Sequence, residues 1–75
     1  MRLLVVEDEP RLAADLKAAF EAAGYAVDVA HDGAAADFCV ETQDYDAVIL
    51  DLGLPRIDGL TLLGRWRRAG KSMPI

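Results

Sequence analysis

Three carboxylates in this sequence follow apolar runs in a pattern that indicates cation chemistry. Glu7 and Asp8 come directly after the apolar run at residues 3–6, and Asp51 comes directly after the run at residues 47–50. Short apolar runs without polar alternation are typical of strands buried on both faces of a parallel sheet. Each acid is therefore predicted at the carboxyl end of a buried strand, which is where open α/β sheets bind ligands.

If the two strands are neighbours, the three carboxylates meet in one crevice. Adjacent strands lie about 4.8 Å apart, so the acids repel one another unless a cation neutralises them. Mg²⁺ is suited to this position because it takes hard oxygen ligands and keeps sites open for water or phosphate oxygens. Beside such a cation a carboxylate can attack phosphorus, and the product is an acyl phosphate.

The remaining sequence alternates between strand and helix patterns. Helices are predicted from Pro10 to about residue 23, from Ala34 to about Thr42, and from Asp58, a plausible N-cap, to Gly70. Residues 25–29 alternate between large apolar and other side chains and predict a more exposed strand at a sheet edge. Strands alternating with helices imply right-handed crossovers and a parallel sheet.

Several side chains are assigned to the core by their spacing. Leu12, Leu16 and Phe20 recur every four residues and predict the buried stripe of the first helix. In the second helix, Phe38 is expected to face inward together with Val40 or Cys39.

The alternation of strands and helices predicts a doubly wound parallel sheet, and the flavodoxin-like form of that sheet has a strand order that begins 2-1-3. Strands begin roughly every 23 residues, so a five-stranded sheet would need on the order of 115 residues. The chain is therefore interpreted as about three βα units, and residues 73–75 as the beginning of a fourth strand. An apolar open edge on strand three favours pairing with another chain, so we expect self-association.

Composition narrows the classes of protein that remain. The sequence is 53% hydrophobic and 28% charged, as expected of a soluble globular protein. It has no apolar run long enough to span a membrane and no signal-peptide pattern, which favours a cytoplasmic protein without membrane contact. A single cysteine, Cys39, excludes an intramolecular disulfide and a cysteine-based zinc site.

Charge is distributed unevenly along the chain. Residues 1–55 carry 12 acidic and 3 basic side chains, a net −9, whereas residues 56–75 carry 1 acidic and 5 basic, a net +4. The basic cluster consists of Arg65, Arg67, Arg68 and Lys71. We interpret this cluster as a solvated helix face whose charges are favourable near a helix C-terminus. A nucleic-acid contact is the less favoured interpretation.

Taken together, these motifs are similar to the receiver domain of bacterial two-component response regulators. The similarity is carried by Val-Val-Glu7-Asp8-Glu and by the D-x-x-L-P-x-x-D-G stretch from Asp51 to Gly59. The Leu-Gly-Leu-Pro stretch and Arg-Arg-Ala-Gly further resemble the subfamily whose receivers precede a winged-helix DNA-binding domain. DNA binding would then belong to a C-terminal domain that is not in this chain.

The resemblance implies a role for each residue of the crevice. Asp51 would accept a phosphoryl group from the phosphohistidine of a sensor histidine kinase. Mg²⁺ would be bound by Asp8 and Asp51, by the backbone carbonyl of Gly53, and by Glu7 through water. The chain would be a phosphoacceptor, not a turnover enzyme. The Ser or Thr and the Lys that receivers carry after their fourth and fifth strands lie beyond Ile75.

Three other functions compete with this interpretation. A Mg²⁺-dependent phosphohydrolase usually has a second aspartate two residues after its nucleophile, and here that position is Gly53. A nucleotide- or flavin-binding module is disfavoured because the acidic loop after the first strand would repel phosphate. A pure interaction module with a vestigial acidic pocket stays open. His31 is interpreted as a surface loop residue without a partner at metal spacing.

Overall fold

The computed structural model describes residues 1–75 as a three-layer arrangement with one central parallel sheet. Its elements, in chain order, are β1 (Arg2–Val6), α1 (Pro10–Ala22), β2 (Ala26–Ala30), α2 (Gly33–Thr42), β3 (Ala47–Leu50) and α3 (Gly59–Arg68). The strand order is β2-β1-β3, and both pairings are parallel. The predicted order 2-1-3 and the position of β2 at a sheet edge are confirmed.

The register of the sheet brings distant parts of the chain to the same edge. Val6, the last residue of β1, is paired with Ala30 of β2 and with Leu50 of β3. The residues that follow these three leave the sheet side by side at its carboxyl edge. Glu7, His31 and Asp51 are those residues, although they lie far apart in the sequence.

Both faces of β1 are buried at residues 3–6, which explains the unbroken apolar run there. Leu4 and Val6 belong to the core cluster that β3, α2 and α3 complete with Val48, Val40, Leu62 and Trp66. Leu3 and Val5 alternate with them and are equally buried, and Ala13 is the buried residue of α1. The indole Nε1 of Trp66 donates a hydrogen bond to Asp37 Oδ1 at 2.8 Å and so links α3 to α2.

Two of the predicted core assignments are wrong. Phe38 is 67% exposed, because α2 turns Ala36 and Val40 toward the sheet. Leu12 is 46% exposed, because the buried contact of α1 is made by Ala13, whose small side chain lets the helix approach closely. Phe20 of the same helix packs edge-on against Tyr25.

The ends of the helices follow the predicted signals. Asp58 caps α3, since its Oδ1 accepts a hydrogen bond from the Thr61 N–H at 2.7 Å. That bond lowers the pKa of Asp58 below its usual value. Gly24 has φ of 98° just after α1, a left-handed conformation that glycine adopts without strain. Three arginines occupy the last turn of α3, where they complement the helix dipole.

The outer edge of β3 begins to pair at the end of the chain. The Val48 N–H donates to the Pro74 carbonyl at 2.9 Å, and Met73 packs against the core cluster. This contact is what the start of a fourth strand would make. None of the three helices has the length and apolar character needed to cross a bilayer.

Candidate functional site

The structure brings the three predicted acids together at the carboxyl edge of the sheet. One carboxylate oxygen from each of Glu7, Asp8 and Asp51 lies within 4.8 Å of the others. Glu7 and Asp8 follow β1, and Asp51 follows β3, so the cluster exists only because these two strands are adjacent. The convergence expected from the sequence therefore holds in the fold.

Asp51 is held from both its backbone and its side chain. Its N–H donates to the Val6 carbonyl at 3.0 Å, which continues the pairing of β3 with β1 past the last strand residue. Its Oδ1 accepts a hydrogen bond from the Gly53 N–H at 2.9 Å. The side chain is partly exposed, so it is both fixed in direction and accessible to a reactant.

Glu7 has the most perturbed environment of the three. It is only 9% exposed, and this burial, together with a side-chain hydrogen bond to Asp51, raises the pKa of Glu7 above its usual value. The charges of Asp51 and Asp8 act in the same direction. A carboxyl whose pKa is raised by folding opposes folding when it is ionised, so without a cation the crevice is destabilising at neutral pH.

The donor set of the crevice fits a hard divalent cation. All three side chains offer oxygen, and they range from nearly buried Glu7 to exposed Asp8, which leaves one side of the crevice open to water. Mg²⁺ is commonly bound by one or two carboxylates, with water or phosphate oxygens completing its coordination. The residues present can therefore hold such an ion and leave positions for a phosphoryl group.

Comparison with known proteins agrees with this geometry. The family model described as the response regulator receiver domain matches residues 3–75. The chain belongs to this family. The transcriptional regulatory protein PhoP of Escherichia coli K12 is 47% identical over 75 residues, and the virulence transcriptional regulatory protein PhoP of Salmonella typhi is 44% identical. The chain spans 34% of the length of each.

Solved receiver structures share the fold. The response regulator TrrA of Thermotoga maritima, crystallised with Mg²⁺-BeF, is 40% identical with a TM-score of 0.87 over 91% of this chain and 59% of its own. TrrA in complex with the histidine kinase ThkA gives 39% identity and a TM-score of 0.89 over 96% of this chain and 62% of its own. The flavodoxin-like arrangement expected from the sequence is confirmed.

The loop after β3 explains why this receiver carries glycine at position 59. A Cβ at Gly59 would lie 2.7 Å from the Asp51 carbonyl oxygen and 2.9 Å from the Leu52 Cα, distances that force the backbone apart. The start of α3 therefore approaches the backbone of Asp51 as closely as glycine permits. Gly53 differs, since a Cβ there would meet Asp51 Oδ1 at an ordinary 3.5 Å.

One contact at the receiver crevice was missed by sequence reasoning. His31 is exposed, as expected of a surface loop residue, but its Nδ1 lies 3.0 Å from the Glu7 carbonyl oxygen. Metal-ligand spacing does not predict this contact, because the partner of the imidazole is a backbone atom. The available signal was the strand order, which places the end of β2 beside the end of β1.

Proposed function

We propose that residues 1–75 are the amino-terminal part of a receiver domain in which Asp51 accepts a phosphoryl group. The donor is the phosphohistidine of a sensor histidine kinase. The observation that supports this proposal is the convergence of Glu7, Asp8 and Asp51 within 4.8 Å at the ends of two adjacent strands. In this proposal Asp8, Asp51 and the Gly53 carbonyl bind Mg²⁺, and Glu7 binds it through water.

The transfer needs little covalent chemistry from the protein. A carboxylate oxygen of Asp51 attacks phosphorus, the P–N bond to the donor imidazole breaks, and the imidazole leaves with the electron pair and takes up a proton. The Gly53 N–H orients the attacking carboxylate through its 2.9 Å bond to Oδ1. When bound, Mg²⁺ would neutralise the negative charge that develops on the phosphoryl oxygens.

Similar proteins support the choice of Mg²⁺ and a histidine kinase as the partners in this proposal. TrrA was solved with Mg²⁺-BeF and with a histidine kinase, and the PhoP proteins are transcriptional regulators. We therefore propose that the protein containing this chain responds to a sensor histidine kinase in the cytoplasm. It would control transcription through a separate C-terminal DNA-binding domain. The chain is then a phosphoacceptor and performs no sustained turnover.

The proposed function is tested by labelling with a small phosphoryl donor. With acetyl phosphate and Mg²⁺, the protein as its gene encodes it should gain one phosphoryl group per chain, and EDTA should prevent labelling. Residues 1–75 alone should label at least about 100-fold more slowly, because they do not include a fourth and fifth strand with the Ser or Thr and the Lys that stabilise the transferred group in receivers. Intact-mass spectrometry over time measures both rates. Rapid labelling of the isolated fragment would contradict the expected dependence on later residues.

The residue at position 53 is predicted to influence how long the phosphoryl group persists. In Gly53→Asn, a side chain beside Asp51 Oδ1 would lie where water approaches the acyl phosphate. We expect the dephosphorylation rate to change at least threefold, which corresponds to about 0.6 kcal/mol in the barrier. Gly53→Ala, which adds only a Cβ at 3.5 Å from Oδ1, is the matched control and should change the rate less. An unchanged rate in Gly53→Asn would show that the side chain at position 53 does not influence how long the phosphoryl group persists.

The exposed edge of β3 is proposed to make residues 1–75 self-associate when they are isolated. Beyond the Val48–Pro74 contact, the next backbone groups that face outward are those of Leu50, two residues further along the strand. Unpaired strand edges favour pairing with a second chain. Sedimentation velocity should therefore show a weight-average mass that increases with concentration. A concentration-independent monomer would contradict this expectation.

A further inference from the structure

His31 lies directly after the carboxyl end of β2, beside the end of β1. Its Nδ1 is 3.0 Å from the backbone oxygen of Glu7. A carbonyl oxygen can only accept, so Nδ1 must carry the hydrogen and donate it.

This contact completes a two-point attachment of Glu7 to the end of β2. The Glu7 N–H donates to the Ala30 carbonyl at 3.0 Å, and the Glu7 carbonyl accepts from His31. Since the peptide unit is planar, fixing the Glu7 carbonyl also fixes the amide nitrogen of Asp8. The direction in which Asp8 leaves the strand is therefore set by the end of β2.

Asp8 needs such support more than the other two acids. It is exposed, and the hydrogen bonds of the crevice reach the Glu7 and Asp51 carboxylates but not that of Asp8. Its position within 4.8 Å of its two neighbours thus depends on the backbone that carries it.

We infer that His31 is a positioning residue for the cation site. Through the peptide between Glu7 and Asp8, it holds the Asp8 carboxylate where that group can share one cation with Asp51. The inference rests on the proposed function, because it requires that the crevice binds Mg²⁺. His31 is not a ligand in this role, since it is not among the side chains whose ligand atoms converge in the crevice, which are Glu7, Asp8 and Asp51.

The test compares three replacements of His31 in the protein as its gene encodes it, with Mg²⁺ affinity measured by calorimetric titration. Removing a partner that orients a metal ligand typically weakens binding 10- to 100-fold, and a partner that acts through one peptide should have a smaller effect. We therefore expect His31→Ala to weaken Mg²⁺ binding about 3- to 10-fold. His31→Asn should restore the affinity to within about twofold, because its amide nitrogen occupies the place of Nδ1 and can donate. His31→Gln, whose amide lies one bond further out, should bind like the alanine variant.

Thr42→Ala is the matched control. Thr42 Oγ1 donates to the Phe38 carbonyl at 2.7 Å on the exposed end of α2, so this variant also loses one side-chain to backbone-carbonyl bond, but away from the crevice. Its Mg²⁺ affinity should equal that of the unaltered protein.

Different results would contradict the positioning role of His31 and the proposed function on which that role rests. If the unaltered protein does not bind Mg²⁺, the proposed function is wrong. If it binds and His31→Ala binds equally well, the positioning role is wrong. Equal weakening in the alanine and asparagine variants would also overturn the inference, because the hydrogen bond would then not be the cause.

Discussion

Asp51→Asn is expected to abolish phosphoryl labelling while leaving the fold unchanged. An amide oxygen does not form the acyl phosphate that a carboxylate forms, so labelling should fall to background. The substitution keeps the size of the side chain, and the amide oxygen can still accept the hydrogen bond from the Gly53 N–H. Loss of labelling can therefore be separated from loss of structure. Incubation with acetyl phosphate and Mg²⁺, followed by intact-mass spectrometry, measures the labelled fraction.

Two variants make this experiment specific. Asp44→Asn removes an exposed acid just before β3, away from the carboxyl edge of the sheet, and should label like the unaltered protein. Asp8→Asn should label slowly but at the same residue, because it weakens the cation site and keeps the nucleophile. Undiminished labelling of Asp51→Asn would show that another residue accepts the phosphoryl group.

Asp8→Asn is expected to be more stable than the unaltered protein in EDTA and less stable than the unaltered protein in Mg²⁺. In EDTA the three acids repel one another, and the charges of Asp51 and Asp8 add to the effect of burial in raising the pKa of Glu7. Removing the exposed Asp8 charge should stabilise the fold by about 1 kcal/mol, the interaction of two charges about 4 Å apart in water. For a domain of roughly 100 residues, this corresponds to a rise of about 4 to 8 °C in Tm.

With Mg²⁺ the same substitution should become destabilising. At a concentration 100-fold above its dissociation constant, a ligand stabilises the folded state by about 2.7 kcal/mol. The unaltered site should gain this stabilisation, whereas Asp8→Asn binds the cation more weakly and gains less. Trp66 is 3% exposed, so its fluorescence reports unfolding of the core during a urea titration.

The pH dependence of this effect follows from Glu7. Its pKa is raised in the folded state, so the destabilisation in EDTA is present above the raised pKa and is relieved as Glu7 becomes protonated. The advantage of Asp8→Asn in EDTA should therefore shrink as the pH is lowered through that region. Asp44→Asn should not show the reversal between EDTA and Mg²⁺. A constant difference between the unaltered protein and Asp8→Asn in both buffers would mean that the acids do not share a cation.

The sequence was sufficient to predict the crevice because strand character and strand order together place it. The apolar runs before Glu7 and Asp51 indicated two central parallel strands, and the observed pairing of Val6 with Leu50 brings the following residues to one edge. The residue type and position of Asp58 predict an N-cap, and the hydrogen bond that it accepts from the Thr61 N–H confirms this prediction.

Other features could not be predicted because they depend on packing that periodicity does not encode. Spacing cannot show that α1 approaches the sheet through Ala13, or that α2 turns Phe38 to solvent. The role of Gly59 depends on the proximity of the Asp51 backbone, which only the folded loop reveals. The contact of His31 with a backbone carbonyl cannot be predicted from residue types, because every residue has such a carbonyl.

The most direct test of the central claim is to map the cation site with Mn²⁺, which accepts the same oxygen ligands as Mg²⁺ and broadens nearby NMR signals. We predict that, at low Mn²⁺ occupancy, the backbone amide signals of Glu7, Asp8, Asp51 and Gly53 broaden together and recover when Mg²⁺ is added in excess. Broadening of residues 7–8 and residues 51–53 at separate Mn²⁺ concentrations, or broadening elsewhere first, would contradict a single cation shared by the three carboxylates.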